Sequence, residues 1–121
     1  MTRLLIVAAL AAFSSIARAQ PVPVTLSEWT IELGRDTVRA GSVTFQVRNE
    51  GTIVHGFHIA GQGVEKETRQ IPAGESATLT VTLKPGTYDL YCPMSEQTHR
   101  KAGMEKHLTV IGAAPAAPKK P

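Results

Sequence analysis

The 121-residue sequence contains one cysteine, and aromatic residues make up only 5% of the chain. A single cysteine excludes disulfide bonds within the chain. The sequence also lacks a hydrophobic run long enough to cross a bilayer, since the longest run extends only from Leu4 to Phe13. No basic stripe with interleaved aromatic residues is present, which argues against nucleic-acid binding.

The first nineteen residues have the parts of a secretory signal peptide. Arg3 provides a positive n-region, the run from Leu4 to Phe13 is apolar, and Ala17-Arg18-Ala19 has the small-x-small pattern that precedes cleavage. We predict that residues 1–19 are removed and that the mature chain is periplasmic, without membrane insertion. The alternative is that the segment remains as a membrane anchor.

Removal of this signal changes the charge balance of the chain. The full sequence has 13 Lys and Arg against 10 Asp and Glu, and Arg3 and Arg18 leave with the signal. The remaining 11 basic residues nearly match the 10 acidic ones, so the mature protein is close to neutral. Its charge therefore gives no support to a nucleic-acid partner.

The rest of the chain is predicted to form one domain, residues 20–111, followed by a disordered tail, residues 112–121. The domain is long enough for a small β-sandwich core. The tail reads Gly-Ala-Ala-Pro-Ala-Ala-Pro-Lys-Lys-Pro and has nothing to bury.

Alternating apolar and polar residues predict β-strands throughout the domain. Val43, Phe45 and Val47 alternate with polar residues, and a similar pattern recurs around Leu79 and Val81. Several short strands separated by Gly and Pro turns, with no convincing helical stretch, indicate an all-β sandwich or barrel. The polar stretch 64–70 is compatible with an edge strand, a loop or a short helical turn.

Four side chains in this β-rich chain are candidate metal ligands. Cys92, His99 and Met104 lie close together near the end of the domain, and His55 lies upstream. Two imidazoles, a thiolate and a thioether are the ligands of a blue-copper electron-transfer site. Each has an ordinary alternative as a buried histidine, an inert thiol, a polar loop residue or core filling; the combination favours the metal site.

The chain resembles the cupredoxins, the small Greek-key β-sandwich proteins that include plastocyanin and azurin. The resemblance covers most of residues 22–111. It is carried by two motifs: Asn49-x-Gly51-x-x-x-His55-x-Phe57, and Tyr88-x-x-Tyr91-Cys92-Pro93 followed by His99-x-x-x-Gly103-Met104. It implies a Greek-key cupredoxin fold and one copper ion, cycling between Cu(I) and Cu(II), on His55, Cys92, His99 and Met104.

The sequence departs from the family pattern at two positions. Six residues separate Cys92 from His99, whereas the family usually has two or four, and the commoner spacing would select Gln97. The spacing from His99 to Met104 fits the family and favours His99; Met94 is the alternative to Met104 as axial ligand. Gly56 also has no side chain to brace the sulfur, so any such bond must come from backbone or from elsewhere.

The expected function is that of a non-enzymatic periplasmic carrier of single electrons. Its expected partners are redox proteins, such as a c-type cytochrome, an oxidase or another oxidoreductase, and the protein is expected to be a monomer. The alternatives are a periplasmic copper carrier or copper-resistance protein without a redox-shuttle role, and a cupredoxin-shaped module without metal. The carrier alternative is weaker because such proteins more often have clustered Met and His, whereas this chain has three Met residues.

The remaining histidines and aromatic residues give simpler expectations. His58 and His107 are out of phase with their apolar neighbours and are expected to face solvent. Trp29, Phe45 and Phe57 are expected to fill the core.

Partner docking is expected at a small apolar ring around His99, formed by Pro93, Ala102 and Gly103. Beside this ring, Arg100 and Lys101 either steer an acidic partner or only keep the loop soluble.

Overall fold

The computed structural model describes residues 20–94 and 98–112. These residues form nine strands and one short helix: β1 Gln20–Ser27, β2 Thr30–Leu33, β3 Thr37–Arg39, β4 Gly41–Asn49, β5 His58–Gly61, β6 Val64–Glu67, β7 Ser76–Leu83, β8 Gly86–Tyr91, α1 Thr98–Lys101 and β9 Glu105–Ile111. The predicted signal peptide and all of the predicted tail except Gly112 lie outside the described residues, so both stay predictions.

The strands form two sheets, with the orders β2-β1-β4-β7 and β3-β9-β8-β5-β6. Neighbouring strands are antiparallel except for two parallel pairs, β1 with β4 and β3 with β9. The predicted all-β sandwich is therefore confirmed. Polar residues 64–67 form an edge strand, and no described helix is long and apolar enough to cross a membrane.

The hydrophobic core is built from the inward-facing residues of both sheets. Phe45 on β4 and Phe57, which immediately precedes β5, are fully buried, and their rings pack 5.0 Å apart. Tyr88 on β8 is also fully buried, and its hydroxyl donates a 2.7 Å hydrogen bond to the Lys84 carbonyl. The period-two pattern of Val43, Phe45 and Val47 thus predicted the core face of β4 correctly.

Trp29 is not a core residue, contrary to the sequence prediction. It is 44% exposed and has a positive φ of 66°. Ser27, the last residue of β1, pairs with Thr30, the first residue of β2, so Glu28 and Trp29 form the tip of a hairpin. The turn breaks the strand alternation, and the indole therefore lies outside the core between the sheets.

His58 is also placed differently from the prediction, because it is only 8% exposed. Its ring stacks on Tyr91 of the neighbouring β8, with centroids 4.6 Å apart, and its two nitrogens lie 3.4 and 3.5 Å from Glu65 and Glu67. Strand alternation places His58 on the outer face, but side chains from both neighbouring strands cover that face. His107 is exposed as predicted.

Candidate metal centre

The structure brings three of the four predicted ligands into one buried cluster. Nδ1 of His55 lies 3.3 Å from Nδ1 of His99, and Cys92 Sγ lies 3.9 and 3.5 Å from these two nitrogens. The three residues come from different parts of the chain: His55 from the segment before β5, Cys92 from the end of β8, and His99 from α1.

The spacing of these donor atoms fits a metal ion. A point in their common plane lies about 2.1 Å from all three atoms, and bonds from a first-row metal to imidazole nitrogen and thiolate sulfur are ~2.0–2.3 Å long. Cys92 and His55 are fully buried, and His99 is 6% exposed. Mixed nitrogen and thiolate donors in a nearly trigonal set favour copper over hard cations.

Cys92 is fully buried, and burial disfavours the negatively charged thiolate unless a positive charge lies nearby. Burial raises the pKa of the Cys92 thiol, while hydrogen bonds from the backbone N–H groups of Gly56 and Met94 act in the opposite direction. The Gly56 N–H lies 3.4 Å from Sγ. This bond to sulfur comes from backbone, one of the sources expected because Gly56 has no side chain, and a bound metal ion would supply the positive charge.

The backbone of His55 is held by two hydrogen bonds to Ile71. Its N–H donates to the Ile71 carbonyl at 3.1 Å, and its own carbonyl accepts from the Ile71 N–H at 2.7 Å. Burial lowers the pKa of His55. The imidazole is therefore neutral near pH 7, with a lone pair on one ring nitrogen available for a metal.

Asn49 shapes the turn that leads to His55. This fully buried side chain donates 2.8 Å hydrogen bonds to the carbonyls of Ile53 and Ile71, and its Oδ1 accepts from the Gly51 N–H at 2.9 Å. The Asn-x-Gly motif therefore closes the turn through the bond from Gly51 to Asn49. It also links the turn to Ile71, the residue that pairs with the backbone of His55.

Glu28 is a residue of this centre that sequence reasoning missed. Its Oε1 lies 3.4 Å from Nε2 of His55, on the ring edge opposite Nδ1. Glu28 is 27 residues upstream on the hairpin of β1 and β2. No local pattern connects it with His55, so only the packed fold reveals the contact.

His99 and Met104 are connected to each other and to Cys92 through backbone. The Met104 N–H donates to the His99 carbonyl at 3.0 Å, and the Met104 carbonyl accepts from the Cys92 N–H at 3.1 Å. The Trp29 ring meets His99 edge-on, with centroids 5.1 Å apart. The indole thus covers the second histidine from the hairpin side.

The two candidate axial ligands differ in burial and in tethering. Met104 is fully buried, whereas Met94 is half-buried and lies beside Gly56 and Pro93. Only Met104 has backbone hydrogen bonds to both Cys92 and His99. These contacts favour Met104 as the axial ligand; Gln97 lies outside the described residues.

Arg100, one of the two charges expected to steer partners, is already paired. Its guanidinium lies 3.0 Å from Glu105 and 3.8 Å from Asp89, and it covers the Tyr91 ring at 4.0 Å. Arg100 therefore clamps α1 to β8 and β9 instead of presenting a free charge. Lys101 is exposed and keeps its charge available.

The expected apolar ring around His99 is partly exposed. Ala102 and Gly103 face solvent, and Pro93 is half-buried. Four large apolar side chains are exposed among the described residues: Trp29, which contacts His99, Ile53 and Val54, which precede His55, and Ile111 at the end of β9.

Two buried imidazoles, a buried cysteine and a buried methionine on a two-sheet sandwich form the arrangement of a type 1 copper site. The family model described as the cupredoxin-like domain matches residues 1–102. The chain belongs to this cupredoxin-like family.

Solved structures with the same fold include two auracyanins. Auracyanin from the photosynthetic bacterium Roseiflexus castenholzii is 21% identical, with a TM-score of 0.65, and the match covers 77% of this chain and 98% of that one. Auracyanin A, a "blue" copper protein of Chloroflexus aurantiacus, is 19% identical, with a TM-score of 0.59 and coverages of 75% and 99%. At these identities the likeness establishes the fold alone.

A third similar structure is an oxidised mutant of amicyanin, which is 15% identical with a TM-score of 0.55. The match covers 74% of this chain and 81% of the amicyanin chain. No curated protein matches the chain in sequence.

Proposed function

We propose that this protein is a periplasmic type 1 copper protein that carries single electrons between redox partners. Its proposed ligands are His55, Cys92, His99 and Met104. The observation that carries the proposal is the triangle of two Nδ1 atoms and one Sγ, with sides of 3.3, 3.9 and 3.5 Å.

The chain's own residues would keep the centre in one geometry during electron transfer. Bound copper supplies the one-electron redox couple. His55 and Cys92 are fixed by backbone hydrogen bonds to Ile71 and Met104, and His99 is joined to Met104. Ligands held in this way need little rearrangement when the charge on the metal changes, which favours fast electron transfer.

Burial of the ligand set supports a carrier in preference to an enzyme. His55, Cys92 and Met104 have no exposed surface, and His99 is 6% exposed. A catalytic metal site keeps an open coordination position that a substrate can reach. The donor set proposed here surrounds the ion with protein atoms and leaves no such position.

The edge of His99 is the proposed route for electrons, and the surface around it is the proposed docking face. Trp29, which contacts His99, exposes apolar surface beside it. Its hairpin neighbour Glu28 accepts a hydrogen bond from the backbone N–H of Ile53, whose side chain is also exposed. Apolar contacts of limited area suit the brief encounters of electron-transfer partners. The partners would be redox proteins such as a c-type cytochrome, an oxidase or another oxidoreductase, with the carrier acting as a monomer.

The test is the visible spectrum of the purified, copper-loaded protein, followed by a redox titration. A type 1 carrier shows an intense thiolate-to-Cu(II) band that disappears reversibly on one-electron reduction. A protein that binds only Cu(I) and stays colourless would instead be a copper carrier. Failure to retain copper would contradict both. N-terminal sequencing of the exported protein tests cleavage after Ala19.

A further inference from the structure

We propose that Glu28 is a positioning residue of the copper centre, which directs Nδ1 of His55 toward the metal and lowers the reduction potential through its negative charge. This inference rests on the proposed function, because it concerns the same site. It assigns a role to a residue outside both ligand motifs.

One carboxylate oxygen of Glu28 accepts hydrogen bonds from the turn that precedes His55. Glu28 Oε1 accepts hydrogen bonds from the N–H groups of Thr52 and Ile53 at 2.6 and 3.1 Å, and the Thr52 hydroxyl lies 3.4 Å away. Nε2 of His55 also lies 3.4 Å from this oxygen. The backbone bonds therefore hold the carboxylate at the edge of the imidazole.

Gly51 provides the space in which Glu28 and His55 meet. A Cβ atom at this position would lie 2.5 Å from Glu28 Oε1 and 2.9 Å from His55 Nε2. Both distances are shorter than a Cβ atom can make without displacement of its neighbours. A side chain at residue 51 would therefore push the carboxylate and the imidazole apart.

The carboxylate is ionised at physiological pH. Its Oε1 accepts hydrogen bonds from the backbone N–H groups of Thr52 and Ile53, and hydrogen bonds of this kind favour the charged form of a carboxylate. An anionic oxygen accepts but cannot donate, so the neutral imidazole satisfies the contact only as the tautomer with its proton on Nε2. Nδ1 then keeps its lone pair and faces Cys92 and His99.

The charge of Glu28 would also affect the redox equilibrium. A carboxylate bonded to a ligating histidine raises the basicity of the imidazole. A negative charge near the metal stabilises Cu(II) more than Cu(I), because Cu(II) carries the larger positive charge. His99 has no carboxylate partner among the described residues, so this effect enters through His55 alone.

The first measurement uses the metal-free protein, in which long-range ¹H–¹⁵N NMR reports the tautomer of His55 at a pH where the ring is neutral. Wild-type protein and Glu28→Gln are expected to keep the Nε2–H tautomer, because the glutamine oxygen still accepts. Glu28→Ala and Gly51→Ala are expected to lose this preference. An unchanged tautomer in both alanine variants would overturn the positioning role.

The second measurement is the reduction potential of the copper-loaded variants. Glu28→Gln removes the charge with little change of shape, and we expect it to raise the Cu(I)/Cu(II) ratio at fixed potential about tenfold, which is ~59 mV for one electron. Glu32→Gln is the matched control, because this exposed β2 residue has no hydrogen bond to the centre among the described residues. Gly51→Ala keeps the charge and should shift the potential less.

The outcomes separate this inference from the proposed function. Equal potentials for wild type, Glu28→Gln and Glu32→Gln, in proteins that all show the blue band, would overturn the electrostatic role and leave Glu28 as a cap for the turn. A wild-type protein without the blue band would contradict the proposed function itself. Circular dichroism confirms that each variant is folded before either comparison is made.

Discussion

His55 and His99 present the same ring nitrogen to the centre but are held in different ways. His55 is fully buried, paired through backbone with Ile71 and contacted by Glu28. His99 lies in the four-residue helix of the loop between β8 and β9 and is 6% exposed. We refer to these as the His55 side and the His99 side of the centre.

The two histidines are held by contacts of different sequence separation. The His55 side depends on contacts between residues 16 to 27 positions apart in sequence, as between His55 and Ile71 or Glu28. The His99 side depends on short-range bonds, such as that from Met104 to His99. The His99 side is the one proposed to face a partner protein, whereas the His55 side holds its imidazole from within the sandwich.

Replacement of the donor atom shared by both sides should have the largest effect. Cys92→Ser is expected to abolish the blue band and electron transfer completely, because a hydroxyl cannot form the charge-transfer bond to copper. The fold should persist, because the core of both sheets remains. Visible absorption and circular dichroism provide the measurement, and retention of an intense band would refute the ligand assignment.

Imidazole rescue should distinguish the two sides directly. His55→Gly and His99→Gly should both lose the blue band, but external imidazole should restore it in His99→Gly with an apparent affinity at least about tenfold tighter, ~1.4 kcal/mol. The reason is that His99 retains 6% exposure, whereas His55 is fully buried. Spectral titration with imidazole measures this difference.

Gln97→Ala is the control for the loop alignment in this experiment and should change little. If Gln97→Ala destroyed the site while His99→Gly left it intact, the second imidazole would have been assigned to the wrong position.

Loss of Asn49 should destabilise the protein through the His55 side. Asn49→Ala removes the two bonds that Nδ2 donates and the bond that Oδ1 accepts from Gly51, all within the buried turn. We expect a fall in the free energy of unfolding of ~2–4 kcal/mol. Gln46→Ala, at an exposed position of the same strand, should cost less than ~0.5 kcal/mol. Urea denaturation of both variants makes the comparison, and equal costs would contradict it.

A smaller effect is expected from the glycine that closes the loop on the His99 side. Gly103 has a φ of +126°, and a Cβ atom there would lie 2.7 Å from the Trp29 carbonyl oxygen. Gly103→Ala should cost ~1–3 kcal/mol and disturb the copper spectrum. Gly63→Ala, with a φ of +77° but nothing within 4 Å, isolates backbone strain from the contact. The same cost and an unchanged spectrum in both variants would exclude a specific role for the Trp29 contact.

The smallest expected effect concerns pH and the Arg100–Glu105 pair. The Arg100 guanidinium holds the pKa of Glu105 below its ordinary value of 4.5. The pair therefore contributes its full stabilisation above pH 4.5 and loses it as the pH falls through the depressed pKa. Since both side chains are partly exposed, the contribution is expected to be below ~1 kcal/mol. Thermal melts of wild type and Glu105→Gln between pH 3 and 7 test this contribution. The same change of melting temperature with pH in both proteins would contradict it.

Sequence patterns predicted the parts of this protein that depend on local order. Alternation identified β4 and β7, and the ligand motifs identified three side chains that the fold brings into contact, His55, Cys92 and His99. The Asn-x-Gly turn and the backbone bond from Gly56 to the sulfur also agree with expectation. These features follow from side-chain type and short spacing alone.

The sequence could not reveal features created by packing between distant segments. Trp29 continues an apolar alternation, but a hairpin turn places it outside the core. His58 lies on the predicted outer face, but Tyr91 covers it. The contact from Glu28 to His55 and the pairing of Arg100 likewise depend on which strands become neighbours.

The hydrogen bond between Cys92 and Met104 has a consequence for how this family can change its loop during evolution. The backbone nitrogen of Cys92 lies 3.1 Å from the carbonyl oxygen of Met104, so the first and last proposed ligands of the loop are neighbours. The number of residues between them is therefore not set by a gap that they must span. Insertions can lengthen the segment ahead of His99 without moving either anchor, and the six residues between Cys92 and His99 represent one such length.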